Sequence, residues 1–260
     1  MKRKCGLIGA LLTCALTFGV SAEVANNVAP KSVAHRGHWQ PAGSAQNSIR
    51  SLVKADSIGC YGSEFDVWIT SDDVLVVNHD SSIKGDVIEK CTEKTVRSHQ
   101  LKNGEYVPRL DVFLDSAKQL STRLVCEVKP HKDKVQEAKA VKKILKMIRK
   151  RKLNNRTDYI SFSREAVVQL RKEAPKGTEV YYLSGDMSPE ELKELGLTGP
   201  DYHINVFKKN PDWIKRCHAL GLKVNVWTVD KDEDLQWCID QGVDFITTNR
   251  PDRLHELLAK

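Results

Sequence analysis

"GSEFDVWITSDDVLVVNHD", residues 62–80, contains a strand in which acidic and apolar side chains alternate. Glu64 and Asp66 occupy every second position, with Phe65 and Val67 as their apolar neighbours. In a closed barrel, strand side chains alternate between the interior and the helix layer, so an apolar set facing the helices directs both carboxylates inward. A buried carboxylate is costly unless it is neutralised, solvated at the barrel mouth or bound to a cation.

Short apolar segments alternate with amphipathic helical patterns along most of the chain. The predicted strands are Ser32–His35, Ser63–Ile69, Leu124–Lys129, Tyr159–Phe162, Val180–Leu183, His203–Phe207, Lys223–Val229 and Phe245–Thr248. The predicted helices are 45–58, 110–120, 134–152, 164–173, 188–195, 211–219, 231–240 and one that begins at 251. Eight such units predict an α/β fold, a (β/α)8 TIM barrel.

A doubly wound open sheet is the alternative fold. That fold usually has a glycine-rich turn after its first strand, and "AHRGHWQPAGS", residues 34–44, contains no GxGxxG. Residues 81–107 have no clear period, and we interpret them as an insertion after strand two, over the barrel mouth.

The next predicted strand, "RLVCEVKP" at residues 123–130, adds a third carboxylate, Glu127, with Lys129 on the same face. Three carboxylates at the mouth with no interleaved Cys or His form an all-oxygen site, which suits a divalent cation such as Ca²⁺ or Mg²⁺. A salt-bridge cluster around Lys129 is the alternative.

Two histidines end apolar segments near the same mouth. His35 follows the first strand in "VAHRG", and His79 follows Leu75–Val77. Their usual pKa near neutrality suits general acid and base catalysis, and Arg36 offers a two-pronged donor for phosphate. We interpret five other histidines as structural, in the core or on the surface: His38, His131, His203, His218 and His255.

The motifs resemble the glycerophosphodiester phosphodiesterase family. The matching stretches are "AHRG" (34–37), "EFDVWITSDDVLVVNHD" (64–80), "VPRLDVFLD" (107–115), "CEVKP" (126–130), "VNVWTVD" (224–230) and "GVDFITTNRPDRL" (242–254). They occur in the family's order and span nearly all of the chain after residue 22. The resemblance implies a TIM barrel that hydrolyses glycerophosphodiesters to glycerol 3-phosphate and an alcohol.

The resemblance also implies roles for individual residues. It makes Glu64, Asp66 and Glu127 metal ligands, His35 and His79 the acid–base pair, Arg36 and Lys129 phosphate-binding residues, and Trp227 an apolar wall for glycerol. Filling of the barrel is the alternative role of Trp227. The chain departs from the family in its first loop, where Gln46-Asn47-Ser48 replaces the end of Pro-Glu-Asn-Thr.

The N-terminus has the pattern of a signal peptide. Lys2–Lys4 precede an apolar stretch, residues 6–20, and Val20-Ser21-Ala22 provides small residues for cleavage. We predict a signal peptide over residues 1–22 and a catalytic domain over residues 23–260, exported to the periplasm or secreted. The apolar stretch is shorter than the roughly 20 residues of a spanning helix, so no stable membrane insertion is expected after cleavage. Lipid attachment through Cys14 stays open.

Net charge limits the classes of partner that the chain can bind, and cysteine content limits its disulfide and zinc sites. Loss of three basic residues with the signal peptide lowers the net charge from +7 to +4, too little to favour nucleic acid over a small phosphodiester. The basic run at 139–152 has helical apolar spacing and predicts a solvated helix face, with an anionic membrane as the alternative. The odd, scattered cysteines form neither a disulfide framework nor a zinc site. A single disulfide among them stays open.

Two other functions remain open from the sequence. One is a phospholipase C or D-type phosphodiesterase that acts on intact lipids at a membrane surface. The other is a non-catalytic binding protein that keeps the barrel, although such a protein has no need for both His35 and His79.

Overall fold

Eight parallel strands close into a barrel in the computed structural model, which describes residues 28–259. The strands are β1 (Lys31–Ala34), β2 (Gly62–Ile69), β6 (Arg123–Val128), β7 (Thr157–Ser161), β8 (Val180–Tyr182), β9 (Gly199–His203), β10 (Asn225–Trp227) and β11 (Phe245–Thr248). Closure follows because β1 pairs in parallel with both β2 and β11. The predicted TIM barrel is confirmed.

Helices separate the strands and form the outer layer. They are α1 (Ile49–Ser57), α3 (Leu110–Ala117), α4 (Lys134–Lys150), α5 (Arg164–Glu173), α6 (Pro189–Glu194), α7 (Ile204–Lys209), α8 (Trp213–Ala219), α9 (Asp232–Asp240) and α10 (Pro251–Leu258). Ser48, Asp133 and Ser163 each accept a backbone N–H at a helix start, which satisfies donors that the helix itself cannot use. α4 buries Val141, Ile144, Leu145 and Ile148, so its apolar stripe faces the barrel as predicted.

The alternation in β2 has the predicted direction. Phe65, Val67 and Ile69 belong to the apolar core between the barrel and its helices, where Phe65 packs on Phe113 at 4.7 Å between ring centroids. The intervening positions therefore face the barrel interior, and they include Glu64 and Asp66.

One predicted strand is wrong in its bounds. The segment predicted as the strand His203–Phe207 is a helix from Ile204, and the strand β9 lies earlier, at Gly199–His203. Ile204 and Val206 mimic the period of a strand, but the His203 side chain accepts the N–H of Asn205 and starts α7. The predicted strand Lys223–Val229 is also shorter in the structure, where β10 is Asn225–Trp227.

The insertion packs beside β2 on the mouth side. It follows β3 (Leu75–Val77), which pairs antiparallel with β2, and contains the hairpin strands β4 (Ser82–Ile83) and β5 (Asp86–Val87) and the short helix α2 (Glu93–Val96). Its apolar side chains cluster on Trp68 and Val76. The Glu105 carboxylate accepts the backbone N–H groups of Ile49 and Arg50, so it caps the start of α1.

The described residues bear on the expectations about disulfides and about membrane insertion. All five cysteines there are free, and Cys126 and Cys238 are buried. Between residues 28 and 259, every helix is too short or too polar to cross a membrane. The predicted signal peptide, and Cys14 within it, lie outside the described residues.

Gly199 allows β9 and β10 to approach closely, and we expect Gly199→Ala to destabilise the barrel. A Cβ at this position would lie 1.9 Å from the carbonyl oxygen of Lys223, and rigid backbone cannot yield as a side chain does. The expected loss is about 3 kcal/mol or more, the upper range for overpacking. The urea midpoint measures it.

Gly104→Ala is the matched control, because an added Cβ there meets nothing within 4 Å. We expect it to cost about 1–2 kcal/mol through its left-handed backbone alone. Equal midpoints for the two variants would contradict the close approach.

Candidate active site

Three buried carboxylates converge near the carboxyl ends of two neighbouring strands. β2 supplies Glu64 and Asp66, and β6 supplies Glu127, the register partner of Asp66. One oxygen of each carboxylate lies within 4.8 Å of the other two. We call these residues the acidic triad.

Lys129 provides the positive charge closest to the acidic triad. Its Nζ lies 2.8 Å from Glu127 Oε1 and donates to Asp66 Oδ1 at 3.1 Å, while Asn47 Nδ2 donates to Asp66 Oδ2 at 2.7 Å. Burial alone would raise the pKa of Asp66, but the Lys129 ammonium and other favourable neighbours outweigh it, so this pKa is lowered. Burial alone would lower the pKa of Lys129, but the Asp66 and Glu127 carboxylates raise it.

The negative charges of Glu64 and Glu127 are not fully compensated by neighbouring positive charge. Burial, reinforced by the Asp66 charge, raises the pKa of Glu64 well above its usual range and that of Glu127 to about 8. Among the described residues, Glu64 Oε1 has no hydrogen-bond partner, and Glu127 Oε1 contacts Lys129 without hydrogen-bond geometry. A salt-bridge cluster would set one ammonium against three carboxylates. The Glu64 oxygen without a partner and the all-carboxylate donor set instead fit a hard divalent cation such as Ca²⁺ or Mg²⁺.

The loop after β1 places Arg36 beside the acidic triad. Arg36 has a φ of 57°, and its backbone N–H donates to Glu64 Oε2 at 2.7 Å. Its Nη1 donates to Gln46 Oε1 at 2.9 Å, and its buried Nε has no partner in residues 28–259. Gly37 follows with a φ of 77°, and a Cβ there would lie 2.4 Å from Ser51 Oγ. Because Gln46 is neutral, it positions the guanidinium without forming an ion pair with it.

Hydrogen bonds hold His35 at the carboxyl end of β11, the last strand. Its backbone N–H donates to Thr248 O at 3.0 Å, and its Nδ1 lies 2.9 Å from Asn249 Oδ1. Because an amide oxygen only accepts, Nδ1 carries the proton and Nε2 keeps a lone pair. Burial, with Arg36 as the next cause, lowers the pKa of His35 to about 4. The imidazole is therefore neutral at pH 7.

Asn249 and Asp230, which the sequence analysis missed, orient His35. Asp230 accepts the Asn249 backbone N–H at 2.8 Å and its Nδ2 at 2.7 Å, so only the amide oxygen faces His35. The same oxygen accepts from Trp39 Nε1 at 3.0 Å. Asn249 directly follows β11, and Asp230 follows β10 within a few residues. Polar residues at the carboxyl ends of barrel strands were the available signal.

His79 approaches the site from the β3 side. Its Nδ1 lies 2.7 Å from Asp80 Oδ1, and its carbonyl accepts from Trp68 Nε1 at 3.3 Å. Burial lowers the pKa of His79, whereas the Asp66 and Asp80 carboxylates oppose that shift. With 37% of its side chain exposed, His79 remains accessible to a ligand.

The half of the mouth farther from the acidic triad is apolar. Trp227 packs edge-on to Phe162, with ring centroids 5.5 Å apart, and its Nε1 donates into the barrel to Asp201 O at 2.8 Å. The indole therefore offers only apolar surface to the mouth, which suits the predicted wall.

Three histidines interpreted as structural have structural partners. His131 links the Ile69 N–H to the Lys129 carbonyl, His218 contacts Asp244, and His255 contacts Ser32. The structure thus brings together the residues proposed from the sequence for the metal, the phosphate and the proton transfers.

Comparisons with known proteins agree on one family. The model of the "Glycerophosphoryl diester phosphodiesterase family" matches residues 35–253. A glycerophosphodiester phosphodiesterase of Caldanaerobacter subterraneus is 26% identical over 88% of this chain and 97% of its own length. One from Bacillus subtilis is 24% identical over 95% of this chain and 94% of its own.

Solved structures are also similar. A glycerophosphodiester phosphodiesterase from Parabacteroides distasonis is 48% identical, with a TM-score of 0.87 over 88% of this chain and 97% of that one. An Oleispira antarctica phosphodiesterase, solved with sn-glycerol 3-phosphate, is 22% identical, with a TM-score of 0.76 over 89% of this chain and 98% of that one. The second likeness shows the fold alone.

We expect Ca²⁺ or Mg²⁺ to raise the thermal unfolding midpoint, because an ion that binds only folded protein contributes about 2.7 kcal/mol at 100 times its dissociation constant. Without an ion, Glu127 has a higher pKa in the folded protein than in the unfolded chain. Its contribution to stability is therefore fully present below the unfolded pKa and is lost as the pH rises through about 8. The lowered pKa of His35 has the opposite effect between its folded value of about 4 and its usual 6.5. The difference between the unfolding midpoints with the ion and with EDTA should therefore increase from pH 6.5 to pH 8.

Calorimetric scans of the wild type, Glu127→Gln and Glu233→Gln provide the test. Glu127→Gln should lose most of the ion effect, whereas Glu233, a surface residue whose side chain is 78% exposed, should tolerate the same change. Equal ion effects in both variants would contradict a cation at the acidic triad.

We expect Asn249→Leu to release His35 from its single tautomer, because the acceptor for the Nδ1 proton is lost. Imidazole ¹⁵N shifts, assigned with His35→Gln, should show protonated Nδ1 in the wild type and a mixture in the variant. Gln236→Leu, which removes an exposed amide on α9, is the control. An unchanged His35 spectrum in Asn249→Leu would show that Asn249 does not fix the tautomer.

Proposed function

The chain belongs to the glycerophosphoryl diester phosphodiesterase family, and from this we propose that it hydrolyses glycerophosphodiesters to glycerol 3-phosphate and an alcohol. As a member it is a phosphoric diester hydrolase. The observation that carries the proposal is the acidic triad beside a neutral, oriented His35 and the charged Arg36. The Parabacteroides protein supports the same substrate class, and the Oleispira complex contains the product.

Glu64, Asp66 and Glu127 are the residues that would hold the divalent cation. A bound Ca²⁺ or Mg²⁺ supplies Lewis-acid stabilisation of negative charge on the phosphoryl oxygens. Among the chain's own groups, Arg36 has its backbone N–H on Glu64 and its guanidinium on the neutral Gln46, so its positive charge can attract a phosphoryl oxygen next to the triad. The Lys129 ammonium offsets part of the triad's negative charge, so the triad repels an anionic substrate less strongly.

His35 and His79 divide the proton transfers. The neutral His35 has a free lone pair at Nε2, so it takes the proton from the attacking hydroxyl. His79 has the Asp80 carboxylate at Nδ1, which stabilises the imidazolium, so it gives a proton to the leaving alkoxide. The family resemblance suggests the substrate's own neighbouring hydroxyl as the nucleophile, followed by opening of a cyclic product by water.

We also propose where the enzyme works. The pattern of residues 1–22 supports export to the periplasm or the outside. The family and the product in the Oleispira complex support a small soluble diester over an intact lipid as the substrate. Phospholipase-type action would appear as faster turnover on vesicles than on soluble diesters.

The test is a panel of glycerophosphodiesters, assayed with EDTA and then with Ca²⁺ or Mg²⁺ restored. We expect glycerophosphocholine or glycerophosphoethanolamine to release glycerol 3-phosphate only with the ion. His35→Ala and His79→Ala should lower kcat by about 10²–10⁴-fold, the usual scale for an acid–base group. Near-normal turnover in His35→Ala would refute its role.

His218→Ala is the matched control. His218 is exposed and contacts Asp244 just before β11, at the end of the barrel away from the mouth, so its loss should leave kcat unchanged. Retained ion-dependent thermal stabilisation in His35→Ala would show that the variant is folded and binds the ion.

A further inference from the structure

We propose that His203 is a specificity residue that donates a hydrogen bond to a hydroxyl of the substrate's glycerol arm. The inference rests on the proposed function and concerns the apolar half of the mouth. His203 ends β9, and the barrel order places β9 four strands from β2 in either direction. His203 therefore lies across the mouth from Glu64 and Asp66.

Strand alternation directs His203 toward the opening. Tyr202 packs outward against Phe207 and Trp213, so the residues on either side of it, Asp201 and His203, face inward. The register also pairs His203 with Trp227, and their rings meet edge to face at 5.3 Å and 79°.

Hydrogen bonding fixes which nitrogen of His203 is available. Nδ1 accepts the backbone N–H of Asn205 at 3.2 Å, so the proton of the neutral ring is on Nε2. In the described part of the chain, Nε2 has no hydrogen-bond partner. Capping α7 thus fixes the imidazole as a donor from Nε2.

The neighbouring side chains offer no comparable donor. Four inward residues lie at the carboxyl ends of β7 to β10: Phe162, Leu183, His203 and Trp227. Phe162 and Leu183 are apolar, and Trp227 uses its Nε1 on Asp201. His203 alone among these four presents a free polar atom, so this wall can accept carbon atoms together with one hydroxyl.

The glycerol arm is the part of the substrate that reaches this wall. The proposed function places the phosphate at the acidic triad and Arg36, and His79 approaches from the β3 side, next to the insertion. The alcohol that His79 protonates therefore leaves toward the insertion. The glycerol arm then occupies the opposite half of the mouth, where an eight-stranded barrel leaves room for few atoms.

Binding measurements with matched ligands test the inference. Propyl phosphate is glycerol 3-phosphate without its two hydroxyls, so it serves as the control ligand. His203→Ser keeps an N-cap acceptor oxygen for α7 but removes the Nε2 donor, whereas His203→Ala removes both the acceptor and the donor. With saturating Ca²⁺ or Mg²⁺, we expect both variants to bind sn-glycerol 3-phosphate about 3- to 10-fold more weakly, as one neutral hydrogen bond predicts, and propyl phosphate equally well.

Further readouts separate binding from capping. The KM for glycerophosphocholine should rise more than kcat falls, and only His203→Ala should lower the thermal midpoint. His218→Ser, at the other end of the barrel, should bind both ligands as the wild type does. If His203→Ser keeps full affinity for glycerol 3-phosphate while the wild type hydrolyses glycerophosphodiesters, the inference is wrong and the proposed function stands.

A wild type that binds glycerol 3-phosphate without hydrolysing its diesters would contradict the proposed function. Weaker binding of this ligand by His203→Ser would still support the inference. A wild type that neither hydrolyses the diesters nor binds glycerol 3-phosphate would overturn both.

Discussion

The charge imbalance inside the barrel governs the rest of the site. Three carboxylates and one ammonium are buried within contact distance, and no arrangement of Lys129 compensates all of them. The Lys129 ammonium lowers the pKa of Asp66, whereas burial, reinforced by the Asp66 charge, raises the pKa values of Glu64 and Glu127. A divalent cation at the triad would offset this repulsion and let all three carboxylates ionise. The proposed function therefore links stability, ion binding and catalysis through the same oxygens.

The barrel supplies the rigidity that such a site needs. Parallel pairing of β2 and β6 places Asp66 beside Glu127, and pairing of β1 with β11 places His35 beside Asn249. These groups are thus held by backbone hydrogen bonds and by buried amides such as Asn47. Preorganisation of this kind lowers the cost of arranging charges during the reaction.

The mouth has two chemically different halves. One half carries the acidic triad, Arg36 and the two histidines, and its groups are charged or titratable. The other half carries Phe162 and Trp227, with His203 between apolar surfaces. We therefore propose that phosphate and glycerol are recognised by opposite strands, with the alcohol leaving on the side that the insertion borders.

Local sequence determined which residues face inward. The alternation in "EFDVWI" and "CEVK" predicted the acidic triad and Lys129, because side-chain direction in a strand follows from its period of two. The alternation of strands and helices predicted the barrel. The resemblance to a known family then assigned the roles of His35, His79, Arg36 and Trp227.

Only the tertiary structure decided which distant residues meet. Asn249 reaches His35 because the last strand closes on the first, across 214 positions of sequence, and no local pattern encodes that contact. The same holds for Asp230 and Trp39. His203 was placed in a predicted strand that is a helix, because strand pairing and a capping hydrogen bond, rather than periodicity, set the end of β9. Sequence fixes direction along one strand, whereas neighbours across the barrel depend on register and closure.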